Sequence, residues 1–385
     1  MKKLFSTVIL ILAVVVSALG VDYCFADENA ITVTSKSAYL MDYHSGEVIY
    51  SKNEEEKLTI ASMTKIMLLN LCFEKLDEGE FTLGDDITVS EKASGMGGSQ
   101  VFLEKNKPYK ASELIKSIIV ASANDASIAM AERLYGTEEN CVQAMNDKCK
   151  EWGLNNTLFS NCTGLPKPTQ YSCAKDVAVM LKHLLNHEEY FSYSNIWLDE
   201  IRHDGGRVTE INNTNKLIKY YEGCDGGKTG YTAESGFCLA STAKRGATRL
   251  ISVIIKASDS KTRFKEASDM LNYGFNNYAS KMVVDSKTPL DLTVKVEKGR
   301  QSETKIIPEK DLFVFMKKGA TDKISVDFSP IKVSAPVEKG STVGELIVFK
   351  NNVEYGRVKV VALEDIDKKI YFDYIKDVSA KWNLA

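Results

Sequence analysis

The chain has 385 residues, of which 44% are hydrophobic and 26% are charged, a composition typical of a globular protein with about two domains. Its formal net charge of −3 does not predict binding to nucleic acid, and it does not indicate a strongly charged surface of either sign. Composition therefore excludes a highly basic nucleic-acid-binding protein.

The N-terminus has the features of an export signal. Two lysines at positions 2 and 3 precede an apolar run over residues 4–18, which is too short to span a membrane comfortably. Small residues allow cleavage after Gly20 or after Ala26, and we favour Ala26. We therefore expect residues 1–26 to be a signal peptide and the protein to act at the extracytoplasmic face of the cell membrane or in the cell wall. An uncleaved signal anchor is the alternative.

The cysteines do not suggest a metal site. Exported proteins commonly contain disulfide bonds. Cleavage after Ala26 would, however, leave seven of the eight cysteines, an odd number that cannot all pair. C-x-x-C does not occur, and His183 and His187, although spaced i, i+4, lack the glutamate of a metalloprotease site. We therefore predict buried free thiols that pack as small apolar side chains, and we predict no metal and no cofactor. The eight cysteines are at positions 24, 72, 141, 149, 162, 173, 224 and 238.

Residues 27–281 are predicted to form one α/β domain. Alternating apolar residues indicate strands, and apolar residues at three- and four-residue spacing indicate helices. Strand hairpins around a helical middle section predict an α/β sandwich with a mainly antiparallel sheet. The predicted elements are a hairpin over 37–52, a helix over 61–76, a helix over 111–134 that is interrupted near 122–124, helices over 138–152 and 174–186, strands over 236–243 and 249–257, and a helix over 261–278.

After residue 281 the pattern changes to short alternating strands. They predict a small all-β domain over residues 282–368 that serves as a spacer or a docking module. The tail, residues 369–385, places Phe372, Ile375, Val378 and Trp382 at helical spacing. Two interpretations of the tail are open: an amphipathic helix that lies on a membrane surface, or a helix docked on the protein.

Three short motifs in a fixed order indicate the chemistry. They are Ser62-Met63-Thr64-Lys65, Ser122-Ala123-Asn124 and Lys228-Thr229-Gly230. Their order matches the S-x-x-K, S-x-N and K-T-G pattern of penicillin-binding proteins and serine β-lactamases. Each motif alone is weak, but only Ser62 begins an S-x-x-K that is followed by both others. The other S-x-x-K serines are at positions 172, 241, 258, 302 and 329.

The motif residues have complementary chemical properties. Ser62 is the predicted nucleophile, and a serine hydroxyl needs an adjacent base to attack a carbonyl. Lys65 lies three residues further on, so that in a helix it shares a face with Ser62. A lysine acts as a base when burial and nearby positive charge, here from Lys228, lower its pKa. Ser122 is predicted to relay a proton, and Asn124 to bind the substrate amide and orient Lys65.

The sequence around the motifs resembles the low-molecular-mass D-alanyl-D-alanine carboxypeptidase family over residues 38–361. Ile60 and Cys162-Thr163 depart from the usual family sequence without altering a motif. The resemblance implies a penicillin-binding-protein/β-lactamase-like sandwich followed by the β domain. It also implies removal of the terminal D-alanine from peptidoglycan stem peptides, and covalent inhibition by β-lactams. The segments that carry it are 61–67, 97–103, 122–127, 153–157, 213–217 and 226–232.

The resemblance also implies how the substrate is bound. Lys228 and Thr229 would bind the terminal carboxylate of the substrate from an edge strand, and Gly230 would let the backbones approach closely. The amides of Ser62 and Tyr231 would form an oxyanion hole. Arg263 has two interpretations, support of the carboxylate site or a structural ion pair.

Some features of the sequence bear on functions other than that of a carboxypeptidase. Glu151-Trp152-Gly153-Leu154-Asn155 matches the E-x-x-L-N of class A β-lactamases, although Glu151 is better explained as a helix end. The four histidines lack the context of a Ser-His-Asp triad. A transpeptidase or endopeptidase shares the acyl-enzyme, and a non-catalytic wall-binding protein would retain the fold without the reaction.

Overall fold

The structure is a computed structural model that describes residues 31–382, with side chains up to residue 379. The predicted signal peptide, residues 1–26, lies outside the described residues, as does Cys24. The seven described cysteines are all buried and unpaired, as the sequence predicts.

A five-stranded antiparallel sheet is the centre of the first part of the chain. Its strands lie in the order β2-β1-β9-β8-β7, so that β7 is an edge strand. The hairpins β3-β4 and β5-β6 lie apart from this sheet, and sequence analysis did not predict them. The strands are β1 (Ser37–Asp42), β2 (Val48–Lys52), β3 (Asp86–Thr88), β4 (Pro108–Lys110), β5 (Leu198–Arg202), β6 (Val208–Asn212), β7 (Cys224–Thr232), β8 (Gly236–Arg245) and β9 (Thr248–Ala257).

The longer helices match the predicted ones closely, including the interruption at residues 121–123, whereas three short helices at 91–94, 190–194 and 217–220 were not predicted. Capping side chains begin several of them: the Thr137 hydroxyl accepts from the Asn140 amide, and the Asp259 carboxylate accepts from the Thr262 amide. The helices are α1 (Lys65–Asp77), α2 (Glu91–Ser94), α3 (Ala111–Val120), α4 (Asn124–Tyr135), α5 (Glu138–Glu151), α6 (Ala174–Leu184), α7 (Tyr190–Ser194), α8 (Leu217–Tyr220) and α9 (Ser260–Asn277).

Helices cover both faces of the central sheet. Alternate residues of β9, such as Ile251 and Val253, join the core formed with the helical section. Leu250 points to the opposite face and packs against Gly274 of α9. The two are so close that a Cβ built on this glycine would lie 2.4 Å from the Leu250 side chain. This alternation follows from the two-residue period of a strand. The sheet is therefore the middle layer of the predicted α/β sandwich.

The second part of the chain is all-β until the final helix. A six-stranded sheet has the order β14-β16-β17-β12-β11-β15, and β10 pairs with β13. Its core consists mainly of valine side chains, with a few isoleucine, alanine and leucine side chains. The strands are β10 (Tyr278–Val284), β11 (Thr293–Glu297), β12 (Glu303–Pro308), β13 (Leu312–Lys317), β14 (Ile324–Pro330), β15 (Val333–Ser334), β16 (Thr342–Lys350) and β17 (Val353–Ala362).

The β part contacts the central sheet through the β1-β2 turn. His44 in this turn stacks on Phe313 of β13 with ring centroids 3.7 Å apart. The Tyr355 hydroxyl of β17 donates to Glu47 Oε1 at 3.1 Å. The contact therefore lies at the end of the sheet that carries β2, away from the edge strand β7.

The tail forms the helix α10 (Tyr371–Trp382). The aromatic and aliphatic side chains of residues 371–378 are exposed, Tyr371 by 74% and Val378 by 60%, so the described part of the protein does not cover them. The side chain of Trp382 lies outside the described part. An Arg300–Asp373 ion pair connects the start of the helix to the β part. Among residues 31–382, no helix combines the length and apolar character needed to cross a membrane.

Candidate active site

Ser62 and Lys65 lie side by side where a 3₁₀ turn joins α1. The turn spans Ala61–Thr64, and Ala61 has a left-handed φ of 47°, which changes the direction of the backbone directly before Ser62. Lys65 Nζ lies 3.1 Å from Ser62 Oγ. The predicted nucleophile and base are therefore within hydrogen-bond distance, as the three-residue spacing requires.

Lys65 is fully buried, and only neutral oxygens are within hydrogen-bond distance of its amine. It donates to Asn124 Oδ1 at 2.7 Å and to the Thr163 carbonyl at 2.5 Å. Burial lowers the pKa of Lys65 to about 7, and the nearby Asp125 carboxylate acts in the opposite direction. A large fraction of Lys65 is therefore neutral at neutral pH, which is the form that a base requires.

The second motif occupies the break between α3 and α4. Ser122 has a φ of 62°, and Asn124 is the first residue of α4. Two hydrogen bonds of 2.7 Å each fix Asn124. Its backbone N–H donates to the Ser99 carbonyl, and its side-chain Nδ2 donates to the Gly97 carbonyl. The buried Ser122 hydroxyl has no hydrogen-bond partner among the described residues. It is therefore available to bond a substrate.

The third motif lies on edge strand β7, as predicted. A Cβ built on Gly230 would lie 2.6 Å from the Ile60 carbonyl and 3.2 Å from the Ser62 amide, so only glycine lets β7 pack against the turn. Thr229 Oγ1 donates to Thr214 Oγ1 at 2.8 Å. The strand therefore lies directly against the turn that carries Ser62.

Lys228 is a second buried lysine of the site. Burial lowers its pKa well below the ordinary value, and the positive charges of Lys65 and Arg263 act in the same direction. We expected burial and the charge of Lys228 together to lower the pKa of Lys65. Burial is the main cause of the lowered pKa for both lysines.

Tyr231 and Arg263 extend the site along β7. The Tyr231 side chain is exposed and lies against Phe237, with ring centroids 4.3 Å apart. Arg263 donates from Nη1 to the Gly230 and Cys238 carbonyls, both at 3.1 Å. Burial lowers its pKa to about 10, so it stays positive at neutral pH. None of the ion pairs among the described residues includes Arg263, and its Nη1 contacts are these two backbone carbonyls.

Sequence analysis missed a loop, residues 161–164, that contacts the amine of Lys65. The Thr163 carbonyl accepts from Lys65, and the Asn161 side chain orients the loop by accepting from the amides of Thr163 and Gly164. Gly164 has a φ of 84°, and a Cβ there would lie 2.0 Å from the Ala61 carbonyl. A glycine before an apolar residue is a weak signal, and a backbone carbonyl leaves none in a sequence.

Asp125 was also missed as a functional residue. Its buried carboxylate accepts from the amides of Val101 and Leu103, each at 3.1 Å, and from the amide of Ala126 at 2.9 Å. It thereby fixes the loop whose carbonyls hold Asn124. An acidic residue directly after S-x-N is a signal that could have indicated this role.

The competing motifs lie elsewhere. Glu151 is exposed at the end of α5 and pairs with Lys148 at 3.0 Å. The four histidines stack on aromatic rings or bond to Asp77 and Tyr109, and none of the described hydrogen bonds joins one of them to Ser62. Within residues 31–382, no group of three or more histidine, cysteine, aspartate or glutamate side chains could hold a metal ion.

Comparison with known proteins identifies the family. The family profile described as D-alanyl-D-alanine carboxypeptidase matches residues 25–259. The chain belongs to the D-alanyl-D-alanine carboxypeptidase family. A second profile, described as the C-terminal domain of penicillin-binding protein 5, matches residues 278–368. The predicted fold class, a sandwich followed by an all-β domain, is thus confirmed for this carboxypeptidase family member.

Individual relatives agree over most of the chain. D-alanyl-D-alanine carboxypeptidase DacF of Bacillus subtilis is 38% identical over 90% of this chain and 90% of its own. The crystal structure of penicillin-binding protein 5 from Haemophilus influenzae is 27% identical with a TM-score of 0.68, covering 88% of this chain and 98% of that one. Penicillin-binding protein D2 from Listeria monocytogenes, in its ampicillin-bound form, is 26% identical with a TM-score of 0.57, covering 64% and 99%.

Proposed function

We propose that this family member removes the terminal D-alanine from peptidoglycan stem peptides that end in D-Ala-D-Ala, through an acyl-enzyme on Ser62. One observation carries the proposal. Lys65 Nζ lies 3.1 Å from Ser62 Oγ and is fully buried, and burial lowers its pKa to about 7. A serine beside a neutral amine is an activated nucleophile.

Acylation begins with proton transfer from Ser62 Oγ to neutral Lys65. Oγ attacks the carbonyl carbon of the penultimate D-alanine, and the amides of Ser62 and Tyr231 donate to the developing oxyanion; such a donor typically contributes about 3 kcal/mol. Protonated Lys65 then passes this proton to the leaving amine through the buried Ser122 hydroxyl, which has no hydrogen-bond partner within the described residues and is free to bond the substrate. D-Alanine leaves, and water then hydrolyses the ester.

The K-T-G strand binds the terminal carboxylate in this proposal. Lys228 and Thr229 face the carboxylate, and Arg263 supports them from behind by holding the Gly230 carbonyl. A bound carboxylate adds negative charge beside Lys228 and raises its pKa again. The carboxylate thus favours the charged form of Lys228 that binds it, which selects for peptides with a free C-terminus.

Penicillins are expected to acylate the same serine and to leave slowly. Support comes from the likeness to the Listeria protein, whose structure is described in an ampicillin-bound form. A β-lactamase would instead turn penicillin over rapidly, and the exposed Glu151 gives no base for that reaction.

The deciding experiment is incubation of the purified protein with a pentapeptide that ends in D-Ala-D-Ala, assayed for free D-alanine. We expect stoichiometric release of D-alanine with a tetrapeptide product, and a slowly decaying penicillin adduct on Ser62 by mass spectrometry. Absence of D-alanine, or rapid and complete loss of penicillin without an adduct, would overturn the proposal.

The rate of acylation should depend on pH through the two buried lysines. Protonation of Lys65 removes the base, so the rate should fall as the pH drops below about 7, by about tenfold per unit. Loss of the Lys228 charge as the pH rises should weaken carboxylate binding, and burial lowers the pKa at which this loss occurs. The measurement is the second-order rate of penicillin acylation between about pH 5 and pH 9. A rate that is constant below pH 7 would contradict the role of Lys65.

We further propose that the protein is exported and acts outside the cytoplasm, with residues 1–26 as the signal peptide, 27–281 as the catalytic domain and 282–368 as the β domain. The tail, residues 369–385, would contact the membrane surface through the uncovered apolar side chains of α10. The proposed membrane contact rests on the exposure of Phe372, Ile375 and Val378.

Vesicle binding tests the role of the tail. The wild-type protein should sediment with phosphatidylglycerol vesicles. The double variant Ile375→Asp/Val378→Asp should stay in the supernatant, because charges on the apolar face oppose insertion. Val353→Asp, at an exposed apolar residue of β17, is the matched control and should still sediment. Equal binding of all three proteins would show that α10 is not the contact.

A further inference from the structure

A groove lies between helix α8 and the first half of α9, and its volume is about 530 Å³. Its lining combines three lysines with aromatic and aliphatic side chains, and none of the described residues that line it is acidic. The main side chains of this α8–α9 groove are those of Lys216, Leu217, Tyr220, Lys261, Phe264 and Lys265. This composition favours a ligand that is anionic and partly apolar.

Two of the three lysines in the α8–α9 groove lack a carboxylate partner. Lys216 and Lys261 are exposed, and none of the ion pairs among the described residues includes either of them. Lys265 pairs with Asp269 at 2.6 Å. Lys219 of α8 adds a further charge beside the groove, with its amine 5.6 Å from the centre of the Tyr220 ring. The groove therefore carries an excess of positive charge.

Aromatic rings provide the apolar part of the groove. The Tyr220 side chain is 70% exposed, and its ring meets that of Trp197 edge-on, with centroids 6.0 Å apart. Phe264 on the opposite wall is half-buried, and the Arg263 guanidinium lies 4.7 Å from the centre of its ring. Such rings offer a rigid apolar surface at a low cost in conformational entropy. The groove therefore suits a peptide with small apolar side chains and free carboxylates.

Both walls of the groove continue from residues that contact the K-T-G strand. Thr229 Oγ1 donates to Thr214 Oγ1 at 2.8 Å, and α8 begins three residues after Thr214, at most about 11 Å along the chain. On the other wall, Arg263 donates to the Gly230 carbonyl at 3.1 Å, and Phe264 follows it directly. A ligand in the groove therefore lies close to the strand that is proposed to bind the terminal carboxylate.

We propose that the α8–α9 groove is a second substrate-binding site, which holds a stem peptide next to the one that reacts with Ser62. The inference rests on the proposed carboxypeptidase function, in which every unprocessed stem peptide ends in a free carboxylate. These carboxylates complement the unpaired lysines, and D-alanyl methyl groups complement the aromatic rings. Since both stem peptides belong to one glycan strand, binding of the second raises the effective concentration of the first at the active site. The enzyme therefore prefers polymeric substrate to isolated peptides.

Two substrates separate the groove from the reaction itself. Diacetyl-L-Lys-D-Ala-D-Ala occupies only the active site, whereas uncross-linked glycan strands that carry pentapeptides reach the groove as well. In the variant Lys216→Ala/Lys261→Ala, kcat/KM for D-alanine release from the strands should fall by about tenfold, as expected for the loss of two exposed ion pairs. The value for the short peptide should change by less than about twofold, because neither lysine contacts the reacting peptide.

A matched control removes the same charge elsewhere. Lys295→Ala/Lys359→Ala changes two exposed lysines of β11 and β17 and should leave the use of both substrates unaffected. Reversal of charge in Lys216→Glu/Lys261→Glu should weaken the use of the strands further. The difference should largely disappear at about 1 M salt, where the screening length falls to about 3 Å. Binding of labelled strands to Ser62→Ala protein should show the same pattern without any reaction.

Several results would overturn this role of the groove. Equal changes for the strands and the short peptide would indicate a disturbed active site, and equal changes in the groove and control variants would indicate a general charge effect. Unchanged use of the strands would also overturn it, and lost sedimentation with phosphatidylglycerol vesicles would then assign the groove to lipid. If the wild-type protein releases no D-alanine from either substrate, the proposed function fails and this inference fails with it.

Discussion

Replacing Lys65 with methionine should lower kcat/KM for D-alanine release by about 10²- to 10⁴-fold, because general base catalysis typically contributes a factor of this size. Methionine is unbranched and apolar, so it can occupy the buried channel of the lysine. The amine that lies 3.1 Å from Ser62 Oγ is lost, and Asn124 Oδ1 and the Thr163 carbonyl lose their donor. Acylation by penicillin should fall by a similar factor.

The matched control is Lys182→Met. Burial also lowers the pKa of Lys182, but this lysine lies on α6 and donates to the His44 carbonyl at 3.5 Å, remote from the motifs. Its variant should retain activity. Ser62→Ala defines the background, with no penicillin adduct. A folded Lys65→Met protein whose activity stays within tenfold of wild type would refute the assignment of Lys65 as the base.

Replacing Gly164 with alanine should nearly abolish acylation and lower the stability of the fold. The new Cβ would lie 2.0 Å from the Ala61 carbonyl and 2.8 Å from the Ser62 amide, and these are backbone atoms that cannot rotate away. Overpacking typically costs about 1–3 kcal/mol. A displacement of Ser62 by about 1 Å can reduce the rate by about 10²-fold. Thermal unfolding and the penicillin acylation rate measure the two effects.

Gly153→Ala separates steric overlap from backbone strain. Gly153 also has a positive φ, 67°, but a Cβ at this position would meet no other described atom within 4 Å. Left-handed backbone costs an alanine about 1–2 kcal/mol, so this variant should lose some stability and keep its acylation rate. Equal acylation rates in the two variants would show that Gly164 does not position Ser62.

Local patterns were sufficient to predict much of the fold. The nearly continuous apolar run in β9 predicted a buried strand, and it is the central strand that is covered on both faces. The interruption at Ser122-Ala123-Asn124 predicted a break in a long helix, and α3 and α4 are separate. The β5-β6 hairpin was missed, because its residues Leu198–Arg202 and Val208–Asn212 include charged side chains that hide the alternation.

The sequence by itself determined the family, the identity of the motif residues and the proximity of Ser62 to Lys65, since three residues span about one helical turn. Only the tertiary structure decided what makes these residues competent. The low pKa of Lys65 comes from burial, and Thr163, which accepts from it, is 98 residues away in the chain. Partners that are backbone carbonyls, at Gly97, Ser99 and Thr163, have no residue-type signature. Such contacts exist only after distant segments have packed together.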